Sequence, residues 1–336
     1  MIFGRDLGID LGTATVVLVT RGKGVIAREP SVVAMDRATG KILKSGSAAE
    51  RMLGRTPGNI AAIHPLQGGV ISDFEMTQSM IGELIKKVIS FSLVKPRVLI
   101  SVPSGITEVE KRAVIDAARQ AGAKEVHLVH EPMAAAVGMG IPVEDPVGNM
   151  IVDIGGGTSD IAVIALNGTV CNASVRVGGD EMDDAIVRYL RTMYNLQVGE
   201  STAEQIKIQI GSASPLDEEL TMEVKGHDFI AGMPRTMTIK SEEIREALNE
   251  PVTAIIEAVK QALSMTPAEL SADIYDKGII MTGGASQLRG FDERIRKETG
   301  LSVNVFDDAL VCVCKGAARI LEDLDKYRPV LIATSN

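Results

Sequence analysis

The chain has 336 residues, room for about two domains. Its 45% apolar and 24% charged content is that of a globular protein, with a mean hydropathy of +0.16 although aromatics supply only 3%. With 35 Lys and Arg against 44 Asp and Glu the net charge is −9, which argues against a dedicated nucleic-acid binder, whose binding face is basic.

In chain order, aliphatic runs at Leu7 to Asp10 and Val16 to Thr20 predict two strands joined by a glycine-containing turn. A strand at Arg97 to Val102 leads to Thr107-x-x-Glu110, a capping box that opens a helix, and Gly122 stands where a C′ glycine ends one. Strands are predicted again at Met150 to Ile154 and Ile161 to Leu166. From Glu181 onward, Met182, Ala185, Ile186, Tyr189, Leu190 and Met193 recur at helical spacing and predict a core-facing helix. Ser201-x-x-Glu204 reads as a second capping box. Ser241, followed by two glutamates, predicts the start of an amphipathic helix reaching about Met265. The stretch from about 217 to 240 reads as short strands and turns, and a last strand runs from Gly278 to Thr282. Strands and helices alternate, which predicts an α/β fold.

No apolar run approaches the roughly 20 residues of a membrane-spanning helix. The N-terminus lacks the apolar core of a signal peptide, so a cytoplasmic location is expected. Cys171, Cys312 and Cys314 have no zinc or redox spacing and are expected as buried reduced thiols.

One internal repeat outweighs any single element. LGIDLGTATVVLV contains Asp10, Gly12 and Thr13, and MIVDIGGGTSDIAVIAL contains Asp153, Gly155, Gly156, Gly157 and Thr158. Each reads apolar strand, Asp-x-Gly, small turn with Thr, apolar strand, and the two aspartates lie 143 residues apart. Two related halves are implied. Glycines let a backbone turn tightly and approach a ligand, and successive N–H groups make a concave site for anionic oxygens. An Asp ending the preceding strand can hold a hydrated Mg2+ against phosphates. Two such hairpins facing across a cleft would grip a polyphosphate from both sides.

Other residues fit around this pair. Gly283, Gly284, Ala285 and Ser286 follow a strand, where backbone could approach a nucleoside. Glu204 and Lys207 share a helix face and could hydrogen-bond a ribose or base, or simply pair with each other. Glu131, in LVHEPMAAAVG, could orient a water for attack on a γ-phosphate, or act as a helix N-terminal acid.

Along nearly its whole length the sequence resembles the actin/Hsp70/sugar-kinase superfamily, and within it the bacterial actins of the MreB family. The motifs are GIDLGTA, REPSVVA at Arg28 to Ala34, GVISDF at Gly69 to Phe74, VPSGITEVEKRAV at Val102 to Val114, EPMAAAVG, VDIGGGTSDIAVI, GGDEMDDAI, TAEQIKIQIG, GMPRTMTI and MTGGASQLRG. The resemblance implies an actin-like (ribonuclease H-like) fold, with two duplicated halves around a nucleotide cleft and a small subdomain in each. It implies subdomain IA at 1–31, 74–142 and 311–336, IB at 32–73, IIA at 143–180 and 246–310, and IIB at 181–245. Gly12, Thr13, Ala14 and Thr15 would form the first phosphate loop and Gly155 to Thr158 the second. Asp10 and Asp153 would sit near Mg2+, through water. Glu131 and Thr158 would position the attacking water. Glu204 and Lys207 would hold ribose and adenine, with Gly283, Gly284, Ala285 and Ser286 opposite.

The sequence also departs from the family. Thr15 and Val16 stand where Asn and Thr are usual, and Gln67-Gly68-Gly69 where Lys-Asp-Gly is usual. Thr158-Ser159-Asp160 replaces Thr-Thr-Glu, His130 a frequent acid, and Ala285 a glycine. Together they suggest a divergent member or a paralogue.

The function implied is an ATP-dependent, slowly hydrolysing cytoskeletal filament protein. It would maintain rod shape by organising cell-wall synthesis at the inner face of the cell membrane. Its partners would be itself, in paired protofilaments, the membrane, and membrane-anchored proteins such as RodZ, MreC and MreD; no nucleic acid is expected. Leu93 and Val94 fall where the family has a membrane-inserting loop, and Ile2 and Phe3 could add an anchor. A chaperone-type ATPase or a kinase of the same superfamily is the alternative. The first needs a substrate domain beyond this chain's end, and the second an acceptor pocket with a base, for which no motif is found.

Overall fold

The computed structural model describes residues 6–89 and 95–333. Leu93, Val94, Ile2 and Phe3 lie outside the described residues.

Two five-stranded sheets carry the structure. The first contains β1 (Leu7–Leu11), β2 (Thr15–Thr20), β3 (Gly24–Pro30), β4 (Arg97–Val102) and β5 (Glu125–His130), in the order β5-β4-β1-β2-β3. The second contains β6 (Asn149–Ile154), β7 (Ser159–Ala165), β8 (Gly168–Val175), β9 (Ile279–Thr282) and β10 (Val303–Val305), in the order β8-β7-β6-β9-β10. Each sheet is therefore an antiparallel meander of three strands followed by two parallel ones. The registers repeat as well. Asp10 opposes Val17 and Ser101, and Asp153 opposes Asp160 and Thr282. The duplication expected from the two Asp-x-Gly hairpins is present in the topology.

Both faces of the central strands are buried, whereas the edge strands β3 and β8 are largely exposed, and alternate residues of the central strands serve different cores. Along β1 and β2, Leu7, Ile9, Leu11, Val16 and Leu18 pack outward into one core, while Val17 and Val19 join a second core shared between the halves. Along β6 and β7, Met150, Val152, Ile154, Ile161 and Val163 pack away from that shared core, whereas Ile151, Ala162 and Ile164 enter it. This double burial accounts for the positive mean hydropathy of an aromatic-poor chain. No helix among the described residues is long and apolar enough to cross a membrane.

The shared core is completed by the helices Glu131–Met139 and Cys312–Glu322. They cross at two glycines. A β-carbon on Gly138 would lie 1.9 Å from the Cys312 carbonyl oxygen, and one on Gly316 would lie 1.8 Å from that of Ala134. Cys312 and Cys314 are buried in this crossing, and Cys171 is half-buried; all three are free thiols.

Two small sheets are inserted at matching places. Val33–Asp36, Ile42–Ser45 and Ile60–Ile63 lie between β3 and β4; Leu196–Gln197, Thr221–Asp228 and Met233–Lys240 lie between β8 and β9.

The helix Glu108–Gln120 has the predicted capping box on Thr107, and Gly122 adopts φ +112 just past its end. Two predicted starts differ. The helix Glu200–Ile210 begins after Gly199 with no side-chain cap, so Ser201 lies inside it. Ser241 is the first residue of the helix Ser241–Met265 and not its cap, because its hydroxyl donates to the Glu219 carboxylate and accepts from the Leu220 N–H at 2.8 Å. The cap residue is Lys240, whose N–H donates to Glu243 at 2.8 Å. In the helix Gly179–Tyr194, Met182, Ala185, Ile186 and Leu190 are buried, but Met193 is 57% exposed.

Candidate functional site

Asp10 and Asp153 are the penultimate residues of the central strands of the two sheets, and the turns that follow these strands meet. A β-carbon on Gly156 would come within 2.7 Å of the Ala14 β-carbon, and one on Gly157 within 2.5 Å of the Thr13 hydroxyl and 2.9 Å of the Gly68 nitrogen. Glycine at both positions is what lets the hairpins close on each other.

Distant residues hold each turn in shape. Ser31 donates its hydroxyl to the Gly12 carbonyl at 2.6 Å and its N–H to that of Ala14 at 2.9 Å. Gly69 donates its N–H to the Thr13 hydroxyl at 3.0 Å. In the second turn the Gly155 N–H donates to the Thr158 carbonyl at 2.8 Å, while the N–H groups of Gly179 and Asp180 donate to the carbonyls of Gly155 and Gly156 at 3.0 and 2.8 Å.

Around this contact lie two adjoining cavities. The smaller, of about 120 Å³, is lined by Asp10, Gly12, Thr13, Ala14, Thr15, Glu131, Asp153, Gly155, Gly156, Gly157, Thr158, Gly283 and Gly284 among others. The larger, of about 440 Å³, is lined by Glu204, Lys207, Gly284 and Ala285 together with Asp180, Met182, Asp183, Ile208 and Leu288. The residues singled out from the sequence thus gather at one cleft, with one exception among those described. Ser286 lines neither cavity; it is buried and donates its hydroxyl to the Gly283 carbonyl at 2.7 Å.

Lys207 does not pair with Glu204. Its ammonium donates to Asp183 at 2.7 Å and to the Gly179 carbonyl at 2.8 Å. Burial pushes the Asp183 carboxyl up to about 7, with Lys207 pulling it back. Asp183 and Asp180 belong to GGDEMDDAI, and no local signal marks which of its acids turns inward.

The small cavity is strongly acidic. Burial holds Glu131 and Asp153 well above the usual carboxylate range; Asp160, Asp153 and Asp10 push Glu131 further, and Asp10 and Asp160 do the same to Asp153. Asp10 is raised mainly by burial, against hydrogen bonds donated by Ser101 at 2.8 Å and by the Cys314 thiol at 3.7 Å. Asp160 is raised by burial too, although it accepts the Ser104 N–H at 2.7 Å. Asp160 is the fourth member of this cluster, and only the strand register reveals it.

Such a cluster suits a divalent cation. Among the described residues no three acidic, His or Cys side chains are grouped to ligate a metal directly. Asp10 and Asp153 line the cavity together and offer carboxylate oxygens, the donor type that Mg2+ takes.

A stability prediction follows from the raised carboxyls. Folding holds their pKa values above those of the unfolded chain, near 4. Their contribution is complete below about pH 4 and is lost as pH rises through the folded values. Asp153→Asn should therefore melt roughly 2–5 °C above the wild type at pH 8 without nucleotide or divalent cation, with the gap closing toward pH 4. Thermal denaturation across pH measures this; a variant less stable at every pH would refute it.

The structure resembles known ones over nearly its whole length. The MreB5 of Spiroplasma citri bound to ADP superposes with a TM-score of 0.92 at 36% identity, covering 96% of this chain and 98% of that one. The same protein bound to AMPPNP gives 0.90. The MamK double helical filament gives 0.81 at 23% identity, a likeness of fold alone. Two duplicated α/β halves closing on facing glycine hairpins are the actin-like architecture. Within that class, the MreB/Mbl protein family model matches residues 4–329, and the chain belongs to this family. It is 49% identical over 332 residues to the cell shape-determining protein MreB of Escherichia coli K12, covering 97% of this chain and 96% of that protein. It is 46% identical over 326 residues to the cell shape-determining protein Mbl of Bacillus subtilis, covering 97% and 98%.

Proposed function

We propose that this chain binds ATP in the cleft between its halves, hydrolyses it slowly, and assembles into filaments that determine cell shape. The observation that carries the reading is the contact of the two glycine hairpins over the acidic small cavity. Its support from relatives is the naming of the Escherichia coli and Bacillus subtilis proteins as cell shape-determining, and the crystallisation of the Spiroplasma protein with ADP and AMPPNP.

In this reading the backbone N–H groups of Gly12 to Thr15 and of Gly156 to Thr158 cradle the phosphates, the Gly155 N–H being taken by the Thr158 carbonyl. Asp10 and Asp153 hold Mg2+ through water, and the ion, when bound, screens the phosphate charge. Glu131 and Thr158 orient the attacking water. Glu204, Lys207 and Ala285 border the sugar and base, and Asp183 fixes the direction of Lys207.

Nucleotide would act on assembly through contacts that tie one half to the other. Arg176 pairs with Glu110 at 3.1 Å, the Ser104 N–H donates to Asp160, and His64 pairs with Glu200 at 3.2 Å. A ligand that fits the closed cleft better than the open one shifts the population toward closure and presents different ends to the next subunit. The four-part division into IA, IB, IIA and IIB fits two large sheets with one small sheet inserted in each.

Filaments of this kind would lie on the inner membrane face, with Leu93 and Val94 inserting and wall-synthesis proteins as partners. Each subunit's short apolar contact is weak, so attachment depends on avidity. Pelleting tests both parts. The chain should sediment with ATP and transfer no phosphoryl group to sugars. Anionic vesicles should co-sediment only with polymer, and Leu93→Ser/Val94→Ser should lose them. ATP-independent solubility would count against the filament reading, and equal vesicle binding by the double variant against the loop.

A further inference from the structure

The groups assigned above to the phosphate end of the cleft are neutral or acidic. A nucleotide's phosphate chain is strongly anionic, and a cavity holding Asp10, Glu131 and Asp153 repels it unless cations intervene. Among the described residues lining the small cavity, one is a cation: Arg28.

Arg28 also lines the larger cavity, so it stands where the two adjoin. The other cations of the larger cavity are engaged. Lys207 is held by Asp183 and the Gly179 carbonyl, and Arg289 donates to the Ile208 and Gly211 carbonyls at 2.9 and 3.3 Å. Arg28 has no hydrogen-bond or ion-pair partner among the described residues, and its side chain is exposed.

The strand register explains its direction. Arg28 opposes Val17, Val17 opposes Asp10, and Asp10 opposes Ser101, a single row across β3, β2, β1 and β4. Directly opposed residues share a sheet face, so Arg28 looks the same way as Asp10. The matching row of the second half runs Ser174, Asp160, Asp153, Thr282. The duplicated fold therefore carries an acid where the first half has Val17, and a neutral serine where it has Arg28. A shared architecture does not require this asymmetry of charge.

We propose that Arg28 anchors the phosphate chain of the bound nucleotide beside the sugar, so that the cleft distinguishes nucleotides from nucleosides. A guanidinium left exposed costs the fold little, and on a phosphate it gives charge-assisted, often paired hydrogen bonds. The proposal rests on the nucleotide reading of the cleft. It adds a protein cation to a site otherwise made of backbone, hydroxyls and carboxylates.

Calorimetric titration of wild type, Arg28→Gln and Arg28→Lys with adenosine, AMP and ADP in Mg2+ buffer tests it. Arg28→Gln should bind AMP and ADP about tenfold more weakly, adenosine as the wild type does, and melt at the same temperature. Arg28→Lys should recover much of the loss. Unchanged ADP affinity in Arg28→Gln, or an equal loss for adenosine, would overturn the role of Arg28 while leaving the cleft reading in place. A wild-type chain that takes up no ADP would overturn the cleft reading itself and this proposal with it.

Discussion

Glu131→Ala should bind ATP and release phosphate from it at least about a hundredfold more slowly than the wild type. Glu131 opens the helix Glu131–Met139 and faces the same cavity as both glycine hairpins. The N–H groups in the cradle are backbone, so replacing this side chain leaves the grip on phosphate intact. What is lost is a carboxylate able to orient and deprotonate a water. The substitution also removes a buried acid that Asp160, Asp153 and Asp10 oppose. The variant should therefore be no less stable than the wild type, which separates loss of chemistry from loss of fold. Phosphate-release kinetics beside nucleotide titration measures both; unchanged hydrolysis would remove Glu131 from the chemistry.

Gly316→Ala should destabilise the protein by about 3 kcal/mol or more, and Gly138→Ala by a similar amount. Neither glycine has a positive φ, so a side chain meets no backbone strain and the conflict is one of space alone. A methyl group on Gly316 would sit 1.8 Å from the Ala134 carbonyl oxygen, a backbone atom that cannot turn aside. Relief requires the two helices to separate. One of them begins with Glu131, and the other carries Val313 against the small cavity. Separation therefore reaches the site as well as the core. Because both substitutions act through one crossing, the double variant should lose clearly less than the sum of the singles. Chemical denaturation of the three variants measures this; a Gly316→Ala protein as stable as the wild type would refute the close crossing.

The halves and their hairpins were legible because they are local and repeated. Asp-x-Gly between two aliphatic runs, occurring twice, is visible without knowing any contact. The strand runs were visible because burial on both faces makes them almost wholly apolar. What sequence reading missed depends on partners far along the chain. Ser31 pins the first loop and Gly69 engages Thr13, and nothing in REPSVVA or GVISDF shows either bond. Lys207 takes Asp183 in preference to Glu204, the acid on its own helix face, because the Gly179–Tyr194 helix brings Asp183 to it.

Ser201 and Ser241 carry the local signal of a helix cap, and each lies within its helix. For Ser241 the tertiary reason is clear, since Glu219 and Leu220 occupy its hydroxyl. For Ser201, the helix starts at Glu200, whose carboxylate reaches His64 and holds that imidazole above its usual pKa. Met193 keeps helical spacing yet faces outward, because the apolar stripe of its helix passes from Leu190 to Tyr194, which packs on the core in its place. Asp160 was visible only as a departure from a familiar motif. Its place in the acid cluster comes from its register opposite Asp153.

The central claim is that nucleotide held between the two halves drives assembly. Electron microscopy of the purified chain with Mg2+, with and without ATP, tests it most directly. Long filaments with ATP, built of paired protofilaments, and dispersed particles without it are predicted. Dispersed particles in both conditions at concentrations that saturate the cleft with ATP, or identical filaments in both, would contradict it.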